Sequence, residues 1–204
     1  AKFINRGGKI IFPRGQDTIE QDDGQYDTSR DVFWASGACM MVRADVFRKL
    51  GGFDGDFFAH MEEIDFCWRA QLAGYRIMVE PRSRVFHLGG GTLPNNSPRK
   101  LYLNYRNNLS MLYKNLSKRT LWPLLFTRMV LDGMSAFVFL MQGRRDFFKV
   151  VFRSHMDFYK ILGMLRAKRR AIQRDRTGSA AGNIYRGSII LRHAMGRRTF
   201  GRMM

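Results

Sequence analysis

Residues 53–69 read Phe53-Asp-Gly-Asp-Phe-Phe-Ala-His-Met-Glu-Glu-Ile-Asp-Phe-Cys-Trp-Arg69 and place five carboxylates and one arginine in an otherwise apolar and aromatic segment. From about Met61 onwards, apolar residues recur at helical spacing. Gly74 stands where such a helix would end. The pattern therefore predicts a helix that begins near Met61 and carries acidic residues in its first turn.

Those acidic residues are Glu62, Glu63 and Asp65. The dipole at a helix start favours ionised carboxylates, and an ionised carboxylate can act as general base for a substrate hydroxyl. A structural interpretation stands beside the catalytic one. In it the acids are capping charges, and Asp65 forms an i,i+4 ion pair with Arg69.

Five linked motifs surround this segment, at residues 34–43, 50–58, 62–69, 74–81 and 87–91. Their order and spacing resemble the second half of a family 2 glycosyltransferase, most of all its rhamnosyltransferase-like branch, over residues 31–116. The resemblance implies an α/β GT-A fold and inverting transfer of a sugar from a nucleotide sugar. It also implies a divalent cofactor, Mg²⁺ or Mn²⁺, on the diphosphate. We expect the N-terminal nucleotide-binding half of that fold, with its Asp-x-Asp metal motif, to be missing from this chain.

The resemblance also assigns roles to individual residues. Glu63 is expected to be the base, but similar proteins usually carry Asp there, so Glu62 stays open as the alternative. A histidine at the spacing of His87 helps to bind the metal in similar proteins. It is followed by Gly89 and Gly90, which can bring backbone N–H groups close to phosphate oxygens.

Further side chains are expected to contact the substrates. Residues 31–42 are almost wholly apolar after the first position and predict a strand buried on both faces. In similar proteins this segment borders the sugar and acceptor pocket. Gly37 marks either close approach of a ligand or a bulge. The predicted substrate-binding set is Trp34, Ser36, Gly37, Arg69, Gly89, Gly90 and Arg106.

Two local patterns have structural readings. Asp54-Gly-Asp56 has the letters of a metal motif but follows Gly51-Gly52, so we interpret it as a turn. Ser97-Pro98 predicts the start of a four-turn helix, with serine as N-cap and proline in the first turn. That helix carries Arg106-Asn107, which matches an Arg-Asn pair of the family. Its arginine faces either a diphosphate or solvent.

Charge divides the chain sharply. Residues 1–98 carry 12 Lys/Arg against 13 Asp/Glu, and residues 99–204 carry 23 against 4. Residues 121–143 are apolar, but Arg128 and Asp132 near the middle and a short uncharged run argue against a membrane span. We expect this segment to lie on a membrane or to pack on the protein.

The next segment predicts an amphipathic helix for the membrane surface, with docking on the catalytic domain as the alternative. Its apolar face consists of Phe147, Val151, Phe158, Ile161, Leu162 and Leu165. From residue 167 we expect a flexible or loosely helical basic tail, which attracts anionic lipid or nucleic acid. No nucleic-acid recognition motif accompanies the charge.

These observations predict a catalytic acceptor-side part over residues 1–96, a helical basic region over 97–170 and a basic tail over 171–204. The predicted function is metal-dependent sugar transfer in cell-surface polysaccharide or glycolipid synthesis, on the cytoplasmic, inner face of the membrane. The expected partners are a nucleotide sugar, a lipid-linked or saccharide acceptor and an anionic membrane surface, but no specific nucleic acid. The alternative is a non-catalytic module on the same scaffold that binds membrane or nucleic acid.

Overall fold

The computed structural model describes residues 26–86 and 97–179, together with Gly24, Gly182 and Ile184. Six helices and one two-stranded antiparallel sheet make up these residues. Their bounds are β1 Arg30–Asp31, α1 Ala44–Lys49, α2 Glu62–Leu72, β2 Met78–Val79, α3 Pro98–Asn115, α4 Lys118–Met141, α5 Arg145–Lys160 and α6 Leu162–Arg174.

The two best-marked helices of the sequence are confirmed. Helix α2 begins at Glu62, and Gly74 lies just beyond its end at φ +89°, a conformation that glycine adopts without strain. Helix α3 begins at Pro98, and the hydroxyl of Ser97 accepts a hydrogen bond from the backbone N–H of Lys100. Ser97 at the start of α3 and Gly74 after the end of α2 agree with local capping chemistry, whereas the start of α2 has no side-chain cap.

The strand predicted over residues 31–42 is wrong. Only Arg30–Asp31 forms a strand here, paired with Met78–Val79, and Gly37–Cys39 forms a 3₁₀ turn. The hydroxyl of Ser36 accepts from the N–H of Ala38, which satisfies the backbone locally. Among the described residues no other strand lies alongside to extend the pairing.

Helices α3 to α6 pack together, and α2 joins them through Trp68 and Leu72. Leu109 of α3 and Phe158 of α5 are fully enclosed at the centre of the larger core cluster. A second cluster joins Tyr105 of α3 to α4 and α5. The loop before α2 is therefore held against a helical body.

The apolar face of α5, predicted to meet a membrane, packs against the protein instead. Phe147, Val151, Phe158 and Leu165 are all buried in the two core clusters. The helix docks on α3 and α4, because the same apolar periodicity serves a protein surface as well as a lipid surface. The membrane assignment of this face is wrong.

A different apolar surface is exposed, and α4 provides most of it. Trp122, Phe126 and Phe137 are each more than 60% exposed. Asp132 faces inward, where it pairs with Arg128 and lies 3.1 Å from His155 Nε2 of α5. By length and composition alone α4 could cross a membrane, so the expectation that it lies on a membrane or packs on the protein remains a prediction.

The first residues of the predicted flexible or loosely helical tail form an ordered helix, because α6 runs to Arg174. Arg169 and Gln173 donate to the carbonyls at the end of α3, and the N–H of Gly178 donates to Leu72 O at 2.8 Å. These contacts cross the predicted divisions at residues 96/97 and 170/171, which remain predictions. Residues 185–204 lie outside the described part.

Candidate active site

The loop that leads into α2 has an unusual backbone. Phe58, His60 and Met61 have φ values of 58°, 68° and 75°. Residues with a Cβ adopt this left-handed region at a cost, so neighbouring structure must hold the loop. Glu62 and Glu63 follow directly as the first residues of the helix.

Asn107 of α3 holds this loop. Its fully buried Nδ2 donates to the carbonyls of Phe57, Ala59 and His60, each at 2.9 Å. Arg106 donates to Asn107 Oδ1 at 2.8 and 3.0 Å and also to the carbonyl of Asp56. The Arg-Asn pair singled out in the sequence therefore supports the loop that positions Glu63.

Glu63 is a half-buried carboxylate with an elevated pKa. Burial is the main cause, and the neighbouring charge of Glu62 adds to it, against opposing contributions that include the backbone N–H of Gly37. The Oε2 atoms of both glutamates are buried without a hydrogen-bond partner in the part of the chain that the structure describes. Such a carboxylate is available to accept a proton from a bound hydroxyl.

His60 lies beside Glu63 and was missed by the sequence reasoning. Burial, then the charge of Lys100, lowers the pKa of this imidazole, although Glu63 acts in the opposite direction. Its Nε2 is buried and lacks a partner among the described residues. A neutral imidazole next to the carboxylate can exchange a hydrogen bond with a substrate hydroxyl.

The predicted substrate segment lies along α2. Phe33 packs edge-on against Trp68 at 5.3 Å, and the N–H of Ala35 lies 3.5 Å from Cys67 Sγ. Half-buried Trp34 and Ser36 follow this path, which brings Gly37 to Glu63. The structure thus brings Gly37 and Glu63 together.

Asp65 and Arg69 are placed differently. Asp65 is fully buried and accepts from Arg69 Nε at 2.8 Å, Lys114 Nζ at 3.0 Å and Asn115 Nδ2 at 2.8 Å. Arg69 also donates to the carbonyls of Leu50 and Gly52. The i,i+4 pair of the structural interpretation is present, and this enclosed carboxylate does not fit the predicted catalytic role.

Asp54-Gly-Asp56 is confirmed as a turn. Asp54 caps a 3₁₀ turn through the N–H of Asp56 and lies 2.5 Å from both Lys114 Nζ and Lys168 Nζ. Asp56 also pairs with Lys168 at 2.5 Å. Burial raises the pKa of Asp54, but the two lysines outweigh it and bring the pKa to about 2.

A divalent metal finds no complete donor set here. Among the described residues no three His, Cys, Asp or Glu side chains converge, and the carboxylates of Asp54 and Asp56 are neutralised by lysines. His87, Gly89 and Gly90 lie outside the described residues. Their assignments remain predictions.

Comparison with known proteins gives this site its context. The family model described as glycosyl transferase family group 2 matches residues 11–143, which is more than half of the chain. The chain belongs to this family of glycosyltransferases. The resemblance drawn from the motifs is therefore confirmed at the level of the family.

Curated relatives match over shorter segments. The N-acetylglucosaminyl-diphospho-decaprenol L-rhamnosyltransferase of Mycobacterium tuberculosis is 38% identical over 78 residues, 38% of this chain and 25% of the relative. The rhamnosyltransferase WbbL of Escherichia coli is 39% identical over 56 residues, 28% of this chain and 21% of the relative. A low-salt glycan biosynthesis hexosyltransferase, Agl10 of Haloferax volcanii, is 40% identical over 54 residues, 26% of this chain and 18% of the relative.

The matched segments thus span a quarter or less of the length of these relatives. No solved structure matches the chain.

Proposed function

We propose that this chain supplies the acceptor side and the general base of a GT-A glycosyltransferase. The enzyme would transfer a rhamnosyl or other hexosyl group from a nucleotide sugar to a hydroxyl of a lipid-linked or saccharide acceptor, in the synthesis of cell-surface glycans. One observation carries the proposal. Glu63 lies at a helix start with a raised pKa, beside Gly37 and His60, and one of its carboxylate oxygens has no partner among the described residues.

The proposed reaction is a single displacement. Glu63 takes the proton of the acceptor hydroxyl while the hydroxyl oxygen forms a bond to the anomeric carbon. The bond between that carbon and the diphosphate oxygen breaks, and the nucleoside diphosphate leaves with the electron pair. Attack opposite to the leaving group inverts the anomeric configuration.

Other residues of the chain position this base. Asn107 and Arg106 hold the loop before α2, and Asp65 anchors α2 to α3 through Lys114 and Asn115. We therefore propose that Asp65 and Arg69 act on the position of Glu63 and do not contact the reacting atoms. Arg106 combines support of the loop with a position at the edge of an open groove.

Mg²⁺ or Mn²⁺, as expected for the family, would neutralise the charge of the leaving diphosphate. The described carboxylates do not fit such an ion. His87→Ala is still expected to weaken metal dependence and nucleotide diphosphate binding together. An unchanged metal titration with lowered thermal stability would make His87 a structural residue.

Attachment to the inner face of the cell membrane is part of the proposal. Helix α4 presents an exposed apolar surface, and residues 99–204 carry 23 Lys/Arg against 4 Asp/Glu. Apolar burial and attraction to anionic lipid together are the usual basis of surface attachment. A cytoplasmic location of the site would place it beside a lipid-linked acceptor.

The decisive experiment is a substitution of the base in the full-length protein, with sugar transfer followed by mass spectrometry over a panel of nucleotide sugars. Glu63→Gln should lower kcat by about 10²- to 10⁴-fold, with little change in donor affinity. Burial raises the pKa of Glu63 above 4.5. As the solution is acidified, kcat of the unchanged protein should therefore begin to fall at a pH above the pKa range usual for a glutamate. Glu63→Asp should retain part of the activity.

Glu62→Gln is the matched control, since it removes the adjacent carboxylate and should cost less turnover. If Glu62→Gln lowers turnover more than Glu63→Gln does, Glu62 is the base. If neither substitution changes turnover, the base lies elsewhere. Absence of any transfer, with membrane or nucleic-acid binding intact, would favour the non-catalytic alternative.

A further inference from the structure

An open groove of about 570 Å³ lies between α3, α5 and the loop before α2. Its wall carries three arginines, Arg99, Arg106 and Arg153, against one aspartate, Asp56. Asp56 is already paired with Lys168. The groove therefore has an excess of positive charge that is not neutralised by its own wall.

Two of these arginines have a weak carboxylate contact or none among the described residues. Arg99 has no carboxylate partner among the residues that the structure describes, and Arg153 is 77% exposed with its Nε 3.6 Å from Asp157. Asp157 also accepts from Tyr102 and Lys160. The guanidinium groups can therefore turn toward a phosphate, which they bind in bidentate fashion.

Arginine side chains already lie over the aromatic rings of the groove. Arg99 lies 4.8 Å from the ring centre of Phe58, and Tyr102 has Arg106 at 5.7 Å and Arg153 at 5.6 Å. These contacts pre-orient the arginines. These cations compete with a nucleobase for the rings, which favours a phosphate ligand.

An apolar surface lies next to the groove on α5. Phe148, Phe152, Met156 and Tyr159 are exposed, and their spacing of three and four residues places them on one stripe. Phe152 and Arg153 are consecutive, so the stripe is about 100° around the helix from the groove. A ligand with its phosphates between the arginines can lay an apolar chain across α5.

The loop that lines the groove leads along the chain to the proposed base. The loop that contributes Asp56 and Phe58 to the groove continues into His60 and Glu63. At the start of α3, Arg99 enters the groove wall while the charge of its neighbour Lys100 acts on His60. The groove and the proposed base therefore share one loop.

We propose that the groove binds the diphosphate of the acceptor, a diphosphate esterified to a long apolar chain. This inference rests on the proposed function for the identity of the acceptor. The arginines hold the diphosphate, the stripe on α5 contacts the chain, and the acceptor sugar points to Glu63.

The test measures binding of farnesyl diphosphate to the full-length protein by calorimetry, without any nucleotide sugar. Arg99→Gln combined with Arg153→Gln should weaken binding by about 10- to 100-fold, because each removes charge-assisted hydrogen bonds. Arg119→Gln combined with Arg170→Gln removes the same charge from exposed positions outside the groove and should leave binding nearly unchanged. Inorganic pyrophosphate should bind more weakly and depend on the same two arginines.

Three results would overturn the proposal. Equal loss in both double variants would indicate a general charge effect. Equal binding of farnesol would show that the diphosphate is not recognised, and equal, arginine-dependent binding of uridine diphosphate would assign the groove to the donor. Glu63→Gln should leave farnesyl diphosphate binding intact, so loss of transfer and loss of acceptor binding are distinguishable.

Discussion

Lys114 Nζ lies 3.0 Å from the carboxylate of Asp65, although 49 positions separate the two residues and neither is exposed. The same ammonium group is 2.5 Å from Asp54. One lysine thus joins α3 to α2 and to the turn before it. The position of Glu63 depends on this junction, because Glu63 is on the helix that Asp65 anchors.

Replacement of Lys114 by Met should destabilise the protein by about 1–3 kcal/mol, because Asp54 and Asp65 each lose one of two cationic partners while Lys168 and Arg69 remain. Denaturant unfolding followed by circular dichroism measures the change. Lys118→Met, at an exposed position on α4, is the control and should stay within about 0.5 kcal/mol. A near-neutral Lys114→Met would mean that Asp54 and Asp65 do not need this partner.

Acid should weaken the junction through Asp54. Its pKa falls from 3.8 to about 2 in the folded protein, so its ionised form contributes stability above about pH 4. That contribution, up to about 2 kcal/mol, should be lost as the pH falls through the folded value. Asp54→Asn should therefore lose less stability than the unchanged protein between pH 5 and pH 2, and equal losses would contradict the role of Asp54.

Asn107→Ala should release the strained loop. The substitution removes the donor to three carbonyls, and we expect a loss of about 1–3 kcal/mol. Hydrogen exchange should become faster at residues 57–61. Asn104→Ala is the matched control on the same helix, since Asn104 donates to the carbonyl of Lys100 within α3 and to no other described residue, and it should leave the exchange of the loop unchanged.

Membrane attachment should depend on α4. Replacing Trp122, Phe126 and Phe137 together by Ser should lower the salt-resistant binding to anionic vesicles by about 100-fold, because three exposed apolar side chains leave the lipid. The salt-sensitive part, due to basic residues, should remain. Flotation with anionic and neutral vesicles separates the two parts.

Substitution of the buried Phe147 and Phe158 by Ser should instead unfold the helical body. If the α4 substitutions leave vesicle binding unchanged, this surface is not the membrane attachment site. Tight, salt-sensitive RNA binding without flotation would favour a nucleic-acid partner.

Local signals in the sequence predicted local structure well. Ser97-Pro98 and Gly74 mark helix ends through their own backbone chemistry, and the structure confirms both. The acidic first turn with Glu62 and Glu63 follows from the same periodicity. The family resemblance came from the order of several motifs, none of which is decisive alone.

Contacts between residues that lie far apart in the sequence could not be predicted. Lys114 stands in a helix where a lysine normally faces water, and only Asp54 and Asp65, 60 and 49 positions away, explain its burial. The support of His60 by Asn107 is equally remote in sequence. The membrane prediction for the apolar face of α5 failed for another reason. Periodicity measures amphipathicity and does not identify what covers the apolar side.

The inward-facing charges of α4 set an order of assembly. Arg128 comes from the same helix as Asp132, but His155 is 23 positions further along the chain. During synthesis α4 is complete before its second partner exists, and an acidic side chain at a bilayer centre costs about 2.5–3.5 kcal/mol. We therefore expect α5 to dock before the outer surface of α4 meets lipid, so that the carboxylate of Asp132 is enclosed by protein at that step.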